Sequence, residues 1–151
     1  MVSGGIVETP WGRLGIVLSA WGLQRVTFHA PPGARLSGPW ADAFAAYLAG
    51  QPFSPSLPVD LTALPPFTQR VLCACRDVPF GAAASYAELA QVLGCPRGAR
   101  AVGQALARNP VPVVIPCHRV LGAHGQLTGF LGGLDWKRHL LTHEGALPLP
   151  T

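Results

Sequence analysis

Residues 85–109, SYAELAQVLGCPRGARAVGQALARN, hold the pattern that decides the fold of the C-terminal part of the chain. Ser85 is followed three positions later by Glu88, a capping box that predicts the start of a helix, and Gly94 is typical of a helix end. A short turn then leads to a second helix, whose apolar residues from Val102 onward recur at helical spacing. Two short helices joined by a tight turn predict a helix-turn-helix.

Two more helices flank this motif, and a buried strand lies between the motif and the last of them. Residues 67–76, FTQRVLCACR, predict the first helix, and residues 135–145, DWKRHLLTHEG, predict the last one with Asp135 as its N-cap. The β-branched run at 113–115 predicts a buried strand that Pro116 ends.

The first 54 residues predict a small β-rich lobe. Three apolar runs separated by turn residues predict a three-strand antiparallel meander; they span residues 6–7, 14–18 and 23–28. A helical series of aromatic and apolar residues follows at 40–48. Residues 51–66 hold five prolines and no periodicity. The predicted organisation is therefore α+β, with an N-terminal lobe at 1–54, a linker at 55–66 and a helical domain at 67–151.

The composition excludes several classes of protein. Of the 151 residues, 49% are hydrophobic and 12% are charged, yet no apolar run reaches the roughly 18 to 20 residues of a membrane span. No basic segment followed by an apolar stretch marks a signal peptide at the N-terminus. We expect a cytoplasmic monomer that does not associate with membranes. The net charge of +4 is compatible with a polyanionic partner without proving one.

The cysteines and histidines predict neither a disulfide framework nor a metal site. The cysteines are Cys73, Cys75, Cys95 and Cys117. Without an export signal they are expected to be reduced, and the first three are best explained as small buried apolar residues. His139 and His143 are four positions apart on one helix, but no third ligand accompanies them. We expect no metal and no cofactor.

Cys117 differs from the other three cysteines because His118 and Arg119 follow it directly. A free thiol with a pKa of about 8.5 is only a few per cent ionised at neutral pH, so a nucleophile needs a base or a positive charge nearby. His118 is a candidate base, directly or through a water molecule, and a buried carboxylate would orient its ring. Glu144 is the candidate carboxylate.

These residues also resemble a known family. IPCHRV at 115–120, preceded by RAVGQALARNPVP at 100–112 and followed by GFLGGLDWKRHLLTHEG at 129–145, closely resembles the O6-alkylguanine-DNA alkyltransferases, also called methylated-DNA-protein-cysteine methyltransferases. The resemblance is dense from about residue 64 to residue 145. The N-terminal lobe is similar only in short stretches, TPWGRLGIVLS and GLQRVTF.

The resemblance implies a direct repair reaction. Cys117 matches the cysteine that takes the alkyl group from O6-alkylguanine irreversibly, so that each molecule acts once, and O4-alkylthymine is a further candidate substrate. His118 would deprotonate Cys117 through a bound water, with Glu144 holding the imidazole. Tyr86 matches the tyrosine whose hydroxyl hydrogen-bonds the extruded base.

The resemblance also implies how DNA is bound and how the site is supported. Arg100 matches the arginine that fills the gap left by the flipped nucleotide. The other residues expected at the DNA are the small residues Ala99, Ala101 and Gly103 and the phosphate-binding Arg97 and Arg108. We expect minor-groove and phosphate contacts with double-stranded DNA, without sequence specificity.

Two residues are expected to support the cysteine turn, and three to form the wall of the base pocket. Asn109 and Arg119 are the supports. Val120, Phe130 and Leu131 are the wall. Phe130 stands where many members of the family have tyrosine, and Leu131 stands where a small or polar residue is common.

Three other functions remain open from the sequence. A non-catalytic alkyltransferase-like lesion binder would lack the acceptor cysteine, which is present here. A helix-turn-helix regulator would bind one DNA sequence and need no thiol. A thiol hydrolase with a Cys-His pair would turn over repeatedly on a small substrate.

Overall fold

The structure is a computed structural model that describes residues 3–146 of the chain. It has two compact units, which divide between Ala63 and Leu64. Each unit is described by itself below. The predicted boundaries at 1–54, 55–66 and 67–151 stay a prediction.

The first unit contains the predicted meander and helix. Its strands are β1 (Ser3–Thr9), β2 (Gly12–Ser19) and β3 (Gly22–Thr27), and they pair antiparallel in the order β1-β2-β3. Alternate residues of the strands, such as Leu14 and Ile16, are buried. Helix α1 (Pro39–Leu48) follows, with its aromatic side chains buried, and the Tyr47 ring stacks on that of Phe53 at 4.8 Å. The α+β class is confirmed.

Part of the predicted linker is paired with the sheet of this unit. The backbone NH of Leu23 donates to the carbonyl of Pro58 at 3.0 Å, and the NH of Asp60 donates to the carbonyl of Leu23 at 2.7 Å. Gly22 has φ +142°, and a Cβ there would lie 2.5 Å from the Pro58 carbonyl oxygen. Only glycine permits this close approach.

The second unit is mainly helical. Its helices are α2 (Pro66–Arg76), α3 (Tyr86–Val92), α4 (Ala99–Leu106) and α5 (Leu134–His143). Two short strands, β4 (Ala84–Ser85) and β5 (Val120–Leu121), pair in parallel, and two 3-10 turns occupy Cys117–Arg119 and Ala123–Gly125. Within residues 3–146, no helix has the length and apolar character needed to cross a membrane.

The predicted helix-turn-helix is confirmed as α3, a turn and α4. The capping box is complete, because the NH of Glu88 donates to Ser85 Oγ at 3.0 Å while the NH of Ser85 donates to Glu88 Oε1 at 2.9 Å. Gly94, with φ +77°, follows the end of α3. Helix α4 begins after Gly98.

Two local predictions in this unit are wrong. Residues 113–115 are buried but form a turn instead of a strand, in which Val113 has φ +76°. Flanking prolines lack the NH groups that a strand needs, and an isolated bridge between Pro112 and Ile115 closes the turn. Asp135 is not the N-cap of α5, since the helix begins at Leu134 after Gly133 and Asp135 lies exposed in its first turn.

Candidate active site

Cys117 begins the 3-10 turn Cys117–Arg119 and is held from one side by Asn109. The amide Nδ2 of Asn109 donates to the carbonyl of Ile115 at 2.9 Å and to Cys117 Sγ at 3.3 Å. Its Oδ1 accepts from the NH of Val111 at 3.0 Å. One buried side chain therefore fixes both the strained turn at 111–115 and the sulfur atom. This geometry suits the supporting part predicted for Asn109.

The thiol of Cys117 is protonated in the resting protein. Burial raises its pKa to about 11, although the hydrogen bond from Asn109 and the positive charge of Lys137 act in the opposite direction. At neutral pH only about one molecule in ten thousand would carry a thiolate. Reaction at this sulfur therefore requires a base that acts when a substrate is present.

His118, the residue after Cys117, forms a buried pair with Glu144. His118 Nε2 lies 2.7 Å from Glu144 Oε2, and neither side chain is exposed to solvent. Burial alone would raise the pKa of Glu144, but hydrogen bonds and charge from His118 and from Arg119 hold it below its ordinary value. The carboxylate is thus ionised and only accepts hydrogen bonds, so Nε2 carries the proton of the imidazole.

The other ring nitrogen of His118 is available as a base. Burial lowers the pKa of His118, which keeps the ring neutral near pH 7. With the proton on Nε2, Nδ1 holds a lone pair, and it has no hydrogen-bond partner among the described protein groups. A buried basic nitrogen without a protein partner is uncommon, since most buried polar atoms are paired.

Arg119 joins the pair and connects it to the segment that follows α2. Its Nε donates to Glu144 Oε1 at 2.7 Å, and its Nη1 donates to the carbonyl of Val78 at 2.7 Å. The guanidinium also lies over the Phe80 ring, 5.7 Å from its centroid. These buried contacts suit the bracing part predicted for Arg119.

A cavity of about 390 Å³ opens beside the thiol. It is lined by Tyr86, Gly103, Leu106, Ala107, Cys117, Gly129, Phe130 and Leu131. The structure therefore brings Tyr86, Phe130 and Leu131 together with Cys117. Val120, predicted as part of the wall, is fully buried and is not among the lining residues.

Two residues that the sequence analysis did not select hold the loop over this cavity. Lys137 is fully buried, and its Nζ donates to the carbonyls of Val120 at 2.9 Å and of Thr128 at 3.2 Å. The Thr128 hydroxyl lies 2.8 Å from the Tyr86 hydroxyl. The helical spacing of Lys137 from the buried Leu141 and Glu144 is the signal that places it on the inner face of α5.

Helix α4 presents Arg100 on the same face as the cavity. Arg100, Gly103 and Ala107 are spaced i, i+3 and i+7, so they share one side of the helix. Gly103 and Ala107 line the cavity, and Arg100 is exposed about one turn earlier. A Cβ on Gly103 would lie 3.6 Å from the Tyr86 ring, so the helix packs closely on this tyrosine.

The other residues predicted at DNA lie near the ends of α4. Arg97 is exposed in the turn before the helix, and Arg108 is exposed just after it. Ala99 and Ala101 are in its first turn, the first half-buried and the second exposed.

Among the described residues, no group of three or more His, Cys, Asp or Glu side chains is arranged to hold a metal ion.

Comparison with known sequences identifies a family and several named relatives. Residues 66–146 match the family described as 6-O-methylguanine DNA methyltransferase, DNA binding domain. The chain is 45% identical over 103 residues to the methylated-DNA-protein-cysteine methyltransferase of Mycolicibacterium paratuberculosis, an alignment that spans 68% of this chain and 62% of that protein. It is 41% identical over 128 residues to the protein of the same name from Salmonella typhimurium, spanning 85% and 71%.

Solved structures agree with the sequence matches. The Mycobacterium tuberculosis O6-methylguanine methyltransferase superposes with a TM-score of 0.82 at 34% identity, covering 99% of this chain and 97% of that one. Mycobacterium tuberculosis OGT in complex with DNA gives a TM-score of 0.83 at 34% identity, covering 95% and 92%. The family match covers more than half of the chain and includes both the helix-turn-helix and the Cys117 turn, so this chain belongs to the 6-O-methylguanine DNA methyltransferase family.

Proposed function

We propose that this protein repairs double-stranded DNA by moving the alkyl group of O6-alkylguanine onto Cys117, irreversibly and once per molecule. The observation that carries the proposal is a cysteine that lines a cavity of about 390 Å³ and is followed by a histidine in a buried pair with a carboxylate. The names of the relatives support the same reaction class.

The proton balance of the reaction follows from the His118 tautomer. A water molecule between His118 Nδ1 and Cys117 Sγ would pass the thiol proton to Nδ1 as the substrate binds, while Glu144 stabilises the resulting imidazolium. The thiolate then attacks the alkyl carbon, an S–C bond forms, and the O6–C bond breaks with its electron pair moving into guanine. Guanine takes up one proton, which balances the one released by Cys117.

Tyr86 is proposed to assist the departure of guanine. Tyr86 lines the cavity, and its hydroxyl would donate a hydrogen bond to the base as negative charge develops on it. Phe130 and Leu131 supply an apolar wall for the base and its alkyl group. A dry wall strengthens the hydrogen bond from the tyrosine.

The reaction requires the damaged nucleotide to leave the duplex, because the O6 substituent is inaccessible inside it. Flipping costs a few kcal/mol, less for a damaged pair. We propose that Arg100 enters the minor groove and fills the gap, while Arg97 and Arg108 bind phosphates. The position of Arg100 on the cavity face of α4 supports this. We further propose that the protein acts as a cytoplasmic monomer without sequence specificity.

The function is tested by mixing the protein with a duplex that contains one O6-methylguanine and measuring the intact mass of the protein. We expect the mass to rise by one methyl group and stop at one equivalent, with the modification in the peptide that contains Cys117. Repeated turnover would instead indicate a hydrolase, and tight lesion binding without an adduct would indicate a non-catalytic binder. The same assay with O4-methylthymine decides whether thymine lesions are substrates.

Replacing Arg100 with alanine is expected to slow repair much more than it weakens binding to undamaged DNA. Loss of the gap-filling side chain leaves part of the flipping cost uncompensated, which corresponds to about a 10- to 100-fold slower transfer. The measurements are single-turnover transfer rates and the fluorescence of a base analogue at the flipped position.

Arg108→Ala is the matched control for Arg100→Ala, since Arg108 is also exposed near α4. It should weaken binding to damaged and undamaged DNA equally. The slope of the logarithm of the binding constant against the logarithm of the salt concentration should become shallower by about 1, as expected for the loss of one phosphate contact. Equal losses on both DNAs for the two variants would mean that Arg100 only contacts phosphate.

A further inference from the structure

Thr128 lies where three parts of the second unit meet. Its hydroxyl is 2.8 Å from the hydroxyl of Tyr86 in α3, and its backbone carbonyl accepts from Nζ of Lys137 in α5 at 3.2 Å. Its methyl group packs on Gly122, where an added Cβ would lie 2.9 Å from Thr128 Cγ2. The Thr128 carbonyl is thus held by a hydrogen bond, and its methyl group lies against Gly122.

The Tyr86 hydroxyl is an unusual group in its surroundings. Among the described residues that line the cavity, only Tyr86 and Cys117 have side chains with polar atoms. Phe130 offers a ring without a hydroxyl in the loop over the cavity. The direction in which Tyr86 points its single hydroxyl hydrogen therefore decides whether any side chain other than the thiol can donate to a bound base.

The short contact between the two hydroxyls can be made in two ways. If Tyr86 donates to Thr128, its hydrogen points away from the base and the bond must break before Tyr86 can assist the reaction. If Thr128 donates to Tyr86, the phenolic hydrogen stays free. A hydroxyl that accepts a hydrogen bond is also a stronger donor, because chains of hydrogen bonds polarise one another.

We infer that Thr128 is a positioning residue for alkyl transfer, whose hydroxyl donates to Tyr86 Oη and directs the phenolic O–H into the cavity. The inference rests on the proposed function. Thr128 does not touch the base; it acts through Tyr86. The hydrogen bond from Lys137 holds the backbone of Thr128, which keeps the threonine hydroxyl 2.8 Å from Tyr86 Oη.

The first test compares Thr128→Val, which removes the hydroxyl at nearly constant shape, with Thr128→Ser, which keeps it. We expect valine to lower the single-turnover rate at saturating DNA about 3- to 10-fold, the value of one neutral hydrogen bond, and serine to keep the wild-type rate. The DNA concentration for half-maximal rate should not change. Thr142→Val, at an exposed threonine of α5, is the control and should have no effect.

A double-mutant cycle separates positioning of Tyr86 from a general effect on the loop. In a Tyr86→Phe background, Thr128→Val should cause no further loss of rate, because the hydroxyl that it orients is gone. If valine slows the phenylalanine variant as much as it slows the wild type, the inference is overturned. Should valine lower thermal stability, Thr128→Ala also lacks the hydroxyl and must slow transfer by the same factor.

A readout without DNA completes the test. The chain has two tyrosines, so ¹³C labelling of the tyrosine Cζ gives two signals, which Tyr86→Phe assigns. The Tyr86 signal should shift in Thr128→Val and stay in place in Thr128→Ser and Thr142→Val. An unshifted signal or an unchanged transfer rate in Thr128→Val overturns the inference and leaves the proposed function intact. A wild-type protein that takes no methyl group overturns the function itself.

Discussion

Replacing Cys117 with serine is expected to abolish alkyl transfer while DNA binding persists. Even the native thiol has its pKa raised to about 11 by burial, and a serine hydroxyl holds its proton far more tightly than a thiol does. Asn109 can still donate its amide hydrogen to the smaller oxygen atom, so the turn should keep its shape. The measurements are intact mass after incubation with O6-methylguanine DNA and fluorescence anisotropy for binding.

Cys75→Ser is the matched control, because Cys75 is the other buried cysteine among the described residues of the second unit. It lies in α2 and is not among the residues that line the cavity. The variant should lose stability, since it buries a hydroxyl in an apolar site, yet still accept one methyl group. If Cys117→Ser formed an adduct and Cys75→Ser formed none, the acceptor would be Cys75 and not Cys117.

The helix-turn-helix was predictable because its signals are local. Ser85 and Glu88 satisfy each other's backbone groups within one turn, and Gly94 provides a positive φ after α3. The turn at 113–115 was not predictable in the same way. An apolar run shows that a segment is buried, but strands and turns can both be buried, and only the structure reveals the positive φ of Val113.

The candidate site shows the same limit. The contact between His118 and Glu144 could be anticipated from the chemistry that a thiol needs, together with a resemblance in sequence. Lys137 shares the helical spacing of buried residues, but lysine is normally exposed, and its burial here depends on two carbonyl groups from other parts of the chain. No pattern in the sequence marks Thr128. Tertiary contacts, and not residue type, define these two residues.

Glu144→Gln is expected to reduce both stability and transfer strongly. The substitution leaves the buried Arg119 without a counter-ion, and breaking a buried ion pair from one side costs about 3–5 kcal/mol of unfolding free energy. It also removes the charge that fixes the His118 tautomer and stabilises its protonated form. Loss of an effective general base slows transfer by about 10²- to 10⁴-fold. Chemical denaturation and single-turnover kinetics measure the two effects.

The pH dependence gives this variant a second signature. The folded-state pKa of Glu144 lies below its ordinary value of 4.5, so its contribution to stability is present above pH 4.5 and is lost as the pH falls below that point. The pKa of His118 is also lowered, from 6.5, so protonation of the unfolded state destabilises the protein as the pH falls below 6.5. In the wild type, the free energy of unfolding should fall below pH 4.5 as Glu144 is protonated. In Glu144→Gln this part of the pH dependence should be absent.

Glu8→Gln is the control that isolates burial. Glu8 Oε1 accepts from Arg13 Nε at 2.8 Å, nearly the 2.7 Å of the pair between Arg119 and Glu144, but both side chains of the Glu8–Arg13 pair are well exposed. Exposed pairs contribute only about 0–1 kcal/mol, so this variant should unfold almost like the wild type and transfer at the same rate. If the two glutamine variants lose similar amounts of stability, burial does not strengthen the pair between Arg119 and Glu144. If Glu144→Gln transfers at the wild-type rate, Glu144 does not hold His118 in its reactive form, and deprotonation of Cys117 must depend on another group.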